Sequence, residues 1–244
     1  RRVLFRSGMN PSYSDLDPYH MAAAAIDEAV RNVVAVGGDP DQTAILDNFS
    51  WGNCSKPDRL GALVRASEAC YDAAVALKTP FISGKDSLNN EFQTEKGTIV
   101  VPHSLLISAL AIVPNAEKTV TMDLKKPSSR IYLVGRTKDE MGGSHWMRVH
   151  GRRGDNPPTL DLAHARPSLD ERRQLGVLAR QLEEATLVVD DLGVADHRAE
   201  LLVTLAEALD LAAERWLHGG WAGSLSTASR RLGRAAGVVR HGRA

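Results

Sequence analysis

Residues 80–90 have the sequence Pro80-Phe81-Ile82-Ser83-Gly84-Lys85-Asp86-Ser87-Leu88-Asn89-Asn90, in which a short apolar run ends in small and polar side chains. We interpret this stretch as a strand that leads into a phosphate-binding turn. Gly84 allows a ligand to approach the backbone closely, Lys85 supplies a positive charge, and Asp86 supplies a carboxylate for magnesium. Ser83 and Ser87 add hydroxyl groups. The alternative is an ordinary polar turn after a strand.

A second polar strand end lies upstream and favours the functional interpretation. Its residues are Leu46-Asp47-Asn48-Phe49-Ser50-Trp51-Gly52-Asn53, after the apolar run Thr43–Leu46. Two such ends in one unit suggest a shared site.

Two helices are predicted around these strands. Asp17 is a good N-cap with Pro18 at the first helical position, and the alanine-rich stretch that follows runs to Val36 before a glycine pair ends it. A long amphipathic helix is predicted over Asp58–Leu77. Further strands are predicted at Ser104–Val113, which suits a central position, and at Ile131–Gly135. Strands mixed with helices indicate layers of α+β or α/β type.

Composition restricts the class of protein. The 244 residues carry 30 basic and 30 acidic side chains, so the charge balance predicts no nucleic-acid partner. The two cysteines, Cys54 and Cys70, match no metal spacing and fit a reducing compartment. No apolar run reaches the roughly 20 residues of a membrane span, so we predict a cytoplasmic protein without a membrane partner.

Both ends of the chain differ from the part between them. Residues 1–7 can be back-translated into a sequencing-adaptor end, so we expect them to be an artefact. No lysine follows Lys138 and no acidic residue follows Glu214. We expect residues 219–244 to be a disordered basic tail, with a nucleic-acid-binding arm as the less favoured alternative.

The motifs of residues 8–150 resemble a known family, the phosphoribosylformylglycinamidine synthases, and specifically the second ATPase-like half of their synthetase subunit. The resemblance rests on the runs Met9–Pro11, Ser14–Tyr19, Asp27–Pro40, LDNFSWGN (46–53) and PFISGKDSLNNEF (80–92). The fold is shared with aminoimidazole ribonucleotide synthetase and selenophosphate synthetase. The N-terminal pattern of the latter is not found.

The resemblance implies a fold and a domain arrangement. We expect an α+β fold in which a mixed or antiparallel sheet is layered with helices, followed by part of a second α/β domain. The ATPase-like domain is expected at 8–124 and the partial C-terminal-type domain at 129–218.

The resemblance also implies a reaction and site residues. The family converts formylglycinamide ribonucleotide, glutamine and ATP to formylglycinamidine ribonucleotide, glutamate, ADP and phosphate, so the expected cofactors are ATP or ADP and Mg²⁺. The roles carried over are nucleotide binding, magnesium binding and substrate binding. Nucleotide-binding residues are Asp47, Gly84 and Lys85; magnesium-binding residues are Glu28, Asn32 and Asp86; the substrate-binding residue is Ser87.

Two departures from the family limit what this chain is expected to do alone. Lys85 replaces a magnesium-binding asparagine, and a protonated lysine cannot ligate a metal, so it is expected to face phosphate. The later His-Asp-x-Ser-x-Gly-Gly motif is not found, since Asp190–Gly193 lacks its histidine and glycine pair. We therefore expect an inactive fragment of the ligase whose partners are the first half of the synthase and a glutaminase. The alternative is a non-catalytic scaffold that holds a structural ADP.

Overall fold

The computed structural model describes residues 2–121 and 138–170, all of which lie in the compact unit Arg1–Gly193. Within these ranges the strands are β1 (Arg2–Gly8), β2 (Thr43–Ser50), β3 (Phe81–Ser87), β4 (Glu91–Thr94), β5 (Gly97–Val100) and β6 (Ser104–Val113). The helices are α1 (Pro11–Ser14), α2 (Pro18–Ala35), α3 (Pro57–Leu77) and α4 (His145–Val149), and short 3₁₀ turns occur at Pro40–Gln42 and Ala116–Lys118. Residues 162–170 are also helical.

Four strands form the main sheet in the order β1-β6-β2-β3. β6 pairs antiparallel with β1 and β2, whereas β2 and β3 run parallel. A parallel pair needs a crossover connection, and α3 supplies it. The predicted mixed sheet layered with helices is therefore confirmed, and β6 holds the predicted central position.

The sequence explains where α2 and α3 begin. The Asp17 carboxylate accepts hydrogen bonds from the backbone N–H groups of Tyr19 and His20, at 2.8 and 3.3 Å, and Pro18 follows it. This is the predicted N-cap. Lys56 caps α3 without a side-chain hydrogen bond. The predicted ends of both helices agree with the structure to within one residue.

The core lies between the sheet and the two long helices. Met21, Ile26 and Val30 of α2 face Ile107 of β6, and all four are fully buried. Along β6 the exposure alternates, because Leu105, Ile107 and Ala109 point toward the helices and the residues between them are only half-buried. One face of the sheet is thus covered by helices, and the other is covered only in part.

Residues 138–170 pack back onto the first 121. The Arg166 guanidinium donates to the carbonyl oxygens of Pro40 and Leu77, both at 3.1 Å, and pairs with the Asp41 carboxylate. Leu77 ends α3, so Arg166 satisfies one of the carbonyl groups that a helix leaves unpaired at its C-terminus.

Several predictions lie outside the described residues: the strand at Ile131–Gly135, the Asp190–Gly193 segment and the basic tail. The boundary between residues 124 and 129 lies there too and stays a prediction. Arg2–Gly8 forms β1, which pairs with β6; this pairing leaves the expected artefact origin of residues 1–7 a prediction. In the helices that the structure describes, no stretch is both long and apolar enough to cross a bilayer.

Candidate functional site

The two polar stretches predicted to form strand ends lie side by side as strands. In the parallel register, Asp47 is opposite Gly84, Asn48 is opposite Lys85, and Ser50 is opposite Ser87. The prediction that residues 83–87 form a turn is therefore wrong. Pairing with β2 keeps these residues extended although glycine and aspartate are poor strand formers, because tertiary pairing overrides such weak preferences.

Gly84 makes room for the Asp47 carboxylate. A Cβ atom built on Gly84 would lie 2.6 Å from Cγ of Asp47, closer than real Cβ contacts occur, and closer still to one carboxylate oxygen. The Asp47 side chain therefore lies across the backbone of β3 at Gly84. The requirement for glycine here is steric, and the group that needs the space is a carboxylate of the same chain.

The electrostatic surroundings of Asp47 disfavour its charge. Partial burial, and then the negative charge of Asp86, raise the pKa of Asp47 above its ordinary value. The Cys70 thiol of α3 is near the same carboxylate: burial, and then the Asp47 charge, raise the pKa of Cys70 to about 12. Asp47 and Asp86 thus carry like charges on the same, helix-covered face of the sheet, where Asp47 is half-buried, Asp86 is exposed and the Cys70 thiol stays protonated.

The opposite face of the same two strands is polar and open. Lys85 is exposed, and its ammonium group donates a hydrogen bond to the Ser87 hydroxyl. The Asn90 side-chain amide donates to the Ser50 hydroxyl at 2.8 Å. Because side chains alternate along a strand, Lys85 and Ser87 face away from Asp47 and Asp86. The predicted site is therefore divided between the two faces.

Glu28 and Asn32 lie one turn apart on α2, as their spacing predicts, and both contact the end of β1. Glu28 accepts hydrogen bonds from the Met9 backbone N–H and the Asn10 side chain, both at 2.9 Å. The Asn32 amide donates to the Ser7 carbonyl at 3.1 Å. The magnesium role of Glu28 and Asn32 stays a prediction.

The described residues contain no group of three histidine, cysteine, aspartate or glutamate side chains placed to hold a metal ion. Glu28 therefore does not join Asp47 and Asp86 in a three-carboxylate site. The two carboxylates have suitable chemistry for magnesium, because oxygen ligands are what the ion prefers and a cation would offset the burial, and then the Asp86 charge, that raise the pKa of Asp47.

Sequence reasoning assigned no role to Ser50, Asn90 or Glu91. Ser50 and Asn90 stood within the quoted motifs, but only the strand register brings them together. Glu91 is the hydrogen-bond acceptor for the Asn53 backbone N–H, at 2.8 Å. One feature of the sequence could have predicted the role of Glu91. Lys56 and Arg59 have no acidic neighbour at helical spacing, which indicates that an acidic residue from elsewhere in the chain pairs with them.

Comparisons with known proteins agree with this architecture. Residues 1–102 match the family model described as AIR synthase related protein, N-terminal domain. The chain is 38% identical over 157 residues to phosphoribosylformylglycinamidine synthase subunit PurL of Anaeromyxobacter sp. strain Fw109-5, covering 64% of this chain and 20% of that protein. It is 32% identical over 219 residues to the PurL subunit of Rhodopseudomonas palustris strain TIE-1, covering 88% and 29%.

A solved structure shows the same fold. PurL of Thermotoga maritima complexed with FGAR superposes with a TM-score of 0.51 at 15% identity, covering 72% of this chain and 27% of that one. This chain spans less than a third of the length of each of these relatives. The mixed sheet, the family match over residues 1–102 and the sequence relatives agree: this chain is similar to the PurL subunit of phosphoribosylformylglycinamidine synthase, and its first 102 residues match the N-terminal domain of AIR synthase related proteins.

Proposed function

We propose that this chain is the second ATPase-like half of a phosphoribosylformylglycinamidine synthase and that its β2–β3 pair binds a magnesium nucleotide. The whole reaction would convert formylglycinamide ribonucleotide, glutamine and ATP to formylglycinamidine ribonucleotide, glutamate, ADP and phosphate. In this proposal the chain supplies a nucleotide site to a ligase whose remaining parts are not in this sequence.

The observation that carries the proposal is the Asp47 carboxylate lying across Gly84 with Asp86 beside it. Phosphoryl transfer concentrates negative charge on oxygen atoms, so its sites need a cation and the carboxylates that hold it. Asp47 and Asp86 would hold magnesium here, and the ion would neutralise phosphate charge when bound. The half-buried Asp47 carboxylate, beside the exposed Asp86, would be a cost to the fold without such a use.

The opposite face of the pair, which the backbone of the two strands separates from Asp47 and Asp86, carries a second polar surface. Lys85 and Ser87 are joined by a hydrogen bond and are open to solvent, so an anionic oxygen can replace that internal bond with two charge-assisted or hydroxyl contacts. Ser50 and Asn90 extend the same polar surface. We assign phosphate contact to Lys85 and substrate contact to Ser87, in line with the family resemblance.

The proposed partner is the missing half of the synthase. The sheet face turned away from the helices carries Leu106, Leu110 and Ile112, which are only half-buried, and Ile82 near the β3 edge is 61% exposed. The relatives are more than three times as long as the segment that matches this chain. Their additional residues could therefore cover this apolar face. We also expect a glutaminase domain or subunit to supply ammonia.

A second candidate function is a scaffold that holds ADP without turning it over. The lysine at position 85 favours it, because Lys85 cannot serve magnesium as the asparagine of the catalytic pattern does. Nucleotide preference distinguishes the two: an auxiliary site should prefer ADP, and a catalytic one should accept the ATP analogue at least as well.

Calorimetric titration of the full chain tests the proposal, with ADP and a non-hydrolysable ATP analogue, each with and without magnesium. We expect magnesium-dependent binding that Asp47→Ala weakens by about 1.5–3 kcal/mol, the loss typical of a charge-assisted contact. Asp155→Ala, which removes an exposed carboxylate elsewhere, is the matched control. Equal binding by the wild-type protein and Asp47→Ala, or no binding by a folded wild-type chain, would contradict the assignment.

A further inference from the structure

Two basic side chains lie at the start of α3, where a helix disfavours positive charge. Lys56 is the N-cap residue and Arg59 lies in the first turn. The N-terminal end of a helix carries a partial positive charge, so cations there are destabilising unless another group neutralises them. Neither residue has an acidic neighbour three or four positions away.

The neutralising group is Glu91, at the start of β4. Its carboxylate forms an ion pair with Arg59 and accepts a 3.3 Å hydrogen bond from the ammonium group of Lys56. The side chain is only 7% exposed. The same carboxylate accepts the Asn53 backbone N–H at 2.8 Å. A nearly buried carboxylate that accepts two hydrogen bonds and pairs with Arg59 is strongly held, and removing its charge leaves Asp58 as the acidic group of the first helical turn.

Glu91 joins two loops that follow neighbouring strands. Residues 51–54 follow β2 and residues 88–90 follow β3, and hydrogen bonds run between the loops in both directions. The Trp51 N–H donates to the Ser87 carbonyl and the Asn90 N–H donates to the Trp51 carbonyl, both at 2.8 Å. Gly52 packs so closely that an added Cβ would lie 3.2 Å from the Glu91 carboxylate and 2.7 Å from Val100.

Packing around Trp51 completes this arrangement. The Trp51 indole N–H donates to the Arg59 carbonyl at 3.0 Å, and its ring stacks on His103 with centroids 4.3 Å apart. Trp51 is fully buried. Arg59 thus contacts Glu91 through its side chain and Trp51 through its backbone, so the loop after β2 is held at both of these points.

We propose that Glu91 is a positioning residue for the polar face of the β2–β3 pair: by neutralising Lys56 and Arg59 and fixing the Asn53 amide, it locks the two loops and so holds Ser87 and Asn90 in place. Only the expected effect of Glu91 on nucleotide binding rests on the proposed function. The locking of the loops stands on the contacts themselves.

Amide hydrogen exchange tests the locking without any ligand. In Glu91→Gln the side chain keeps an acceptor for Asn53 but loses its charge, and we expect exchange in residues 51–54 and 88–90 to rise about tenfold, the loss of one charge-assisted contact. Exchange in β6 should not change. Glu95→Gln, which neutralises an exposed glutamate in the turn after β4, is the matched control. Unchanged loop exchange, or an equal rise throughout the sheet, would overturn the proposal.

Charge compensation supplies a second readout. If the role of Glu91 is to neutralise Arg59, then Glu91→Gln combined with Arg59→Gln should recover most of the loop protection that the single variant loses. The indole N–H resonance of Trp51 should move in Glu91→Gln and return in the double variant. A double variant that exchanges faster than Glu91→Gln would show that charge neutralisation is not the cause.

Titration with magnesium and ADP separates this inference from the proposed function. If the wild-type chain binds ADP, Glu91→Gln should bind about tenfold more weakly while Glu95→Gln binds normally. Equal ADP affinity would refute the positioning role. If the wild-type chain does not bind ADP, the proposed function fails, and the exchange experiment alone decides whether Glu91 locks the loops.

Discussion

The two faces of the β2–β3 pair differ in their contacts although they share the same backbone. On the helix-covered face, Asp47 lies over Gly84 and beside Asp86, in a space that admits no extra carbon atom. On the other face, hydrogen bonds between side chains join Lys85 to Ser87 and Asn90 to Ser50. Strand alternation thus divides one polar motif into a sterically fixed acidic half and a half whose side chains form hydrogen bonds at the surface.

The largest expected effect contrasts the two faces at β6. Ile107 is fully buried opposite Asp47, and Leu106 is half-buried opposite Asn48. Ile107→Ala should lower the free energy of unfolding by about 2–5 kcal/mol because it opens a cavity in the core. Leu106→Ala should cost about 1 kcal/mol in the isolated chain. Urea denaturation measures both, and equal losses would mean that the two faces are covered alike.

An intermediate effect is expected at Gly84. Gly84→Ala places a methyl group where the Asp47 carboxylate lies and should lower the free energy of unfolding by about 1–3 kcal/mol. Gly61→Ala is the opposite case: a Cβ there meets nothing within 4 Å, and alanine should stabilise α3 by about 0.5–1 kcal/mol.

Removing the crowded carboxylate provides the control for the Gly84 substitution. In an Asp47→Ala background, Gly84→Ala should lose most of its cost, since the two changes act on the same space. Urea denaturation of the wild-type protein, Gly84→Ala, Asp47→Ala and the double variant measures the four free energies of unfolding that this double-mutant cycle needs. Additive losses would show that Gly84 is needed for a reason other than the Asp47 side chain.

The smallest effect is a dependence of stability on pH. The pKa of Asp47 is raised in the folded protein above its ordinary value of 3.8, so the unfolded chain ionises first as the pH rises. The stability that this group contributes is fully present below the unfolded pKa and is lost as the pH rises through the folded pKa. Between the unfolded and the folded pKa of Asp47, the free energy of unfolding of the wild-type protein should therefore fall relative to that of Asp47→Asn. At higher pH the difference between the two proteins should stay constant.

Denaturation midpoints in a series of buffers from about pH 3 upward measure this difference. Asp155→Asn, at an exposed position, should follow the wild-type protein throughout. A wild-type protein that gains stability relative to Asp47→Asn as the pH rises would reverse the assigned sign.

Much of the architecture could be predicted from the sequence because its signals were local. Asp17 and Pro18 fix the start of α2, and the apolar run at Ser104–Val113 fixes β6. The extension of β3 through residues 83–87 could not be predicted, because these residues are poor strand formers and pairing with β2 determines their conformation.

The site residues stay a prediction, and the sequence did not show how they are arranged. Asp47, Gly84 and Asp86 come together as expected, but their separation from Lys85 and Ser87 follows from strand alternation, which a turn would not impose. The Glu91 contacts with Lys56 and Arg59 span more than thirty residues of chain, and a partner at such a separation leaves no periodic signal.

The Arg166 contacts have a consequence for how the chain folds during synthesis. The carbonyl groups of Pro40 and Leu77 belong to the first third of the polypeptide, yet their shared donor is made almost ninety residues after the later of them. Chains emerge from the ribosome at about 5–20 residues per second, so the end of α3 waits several seconds for its last hydrogen bonds. During that interval the Pro40 and Leu77 carbonyl groups lack the donor that they have in the finished protein.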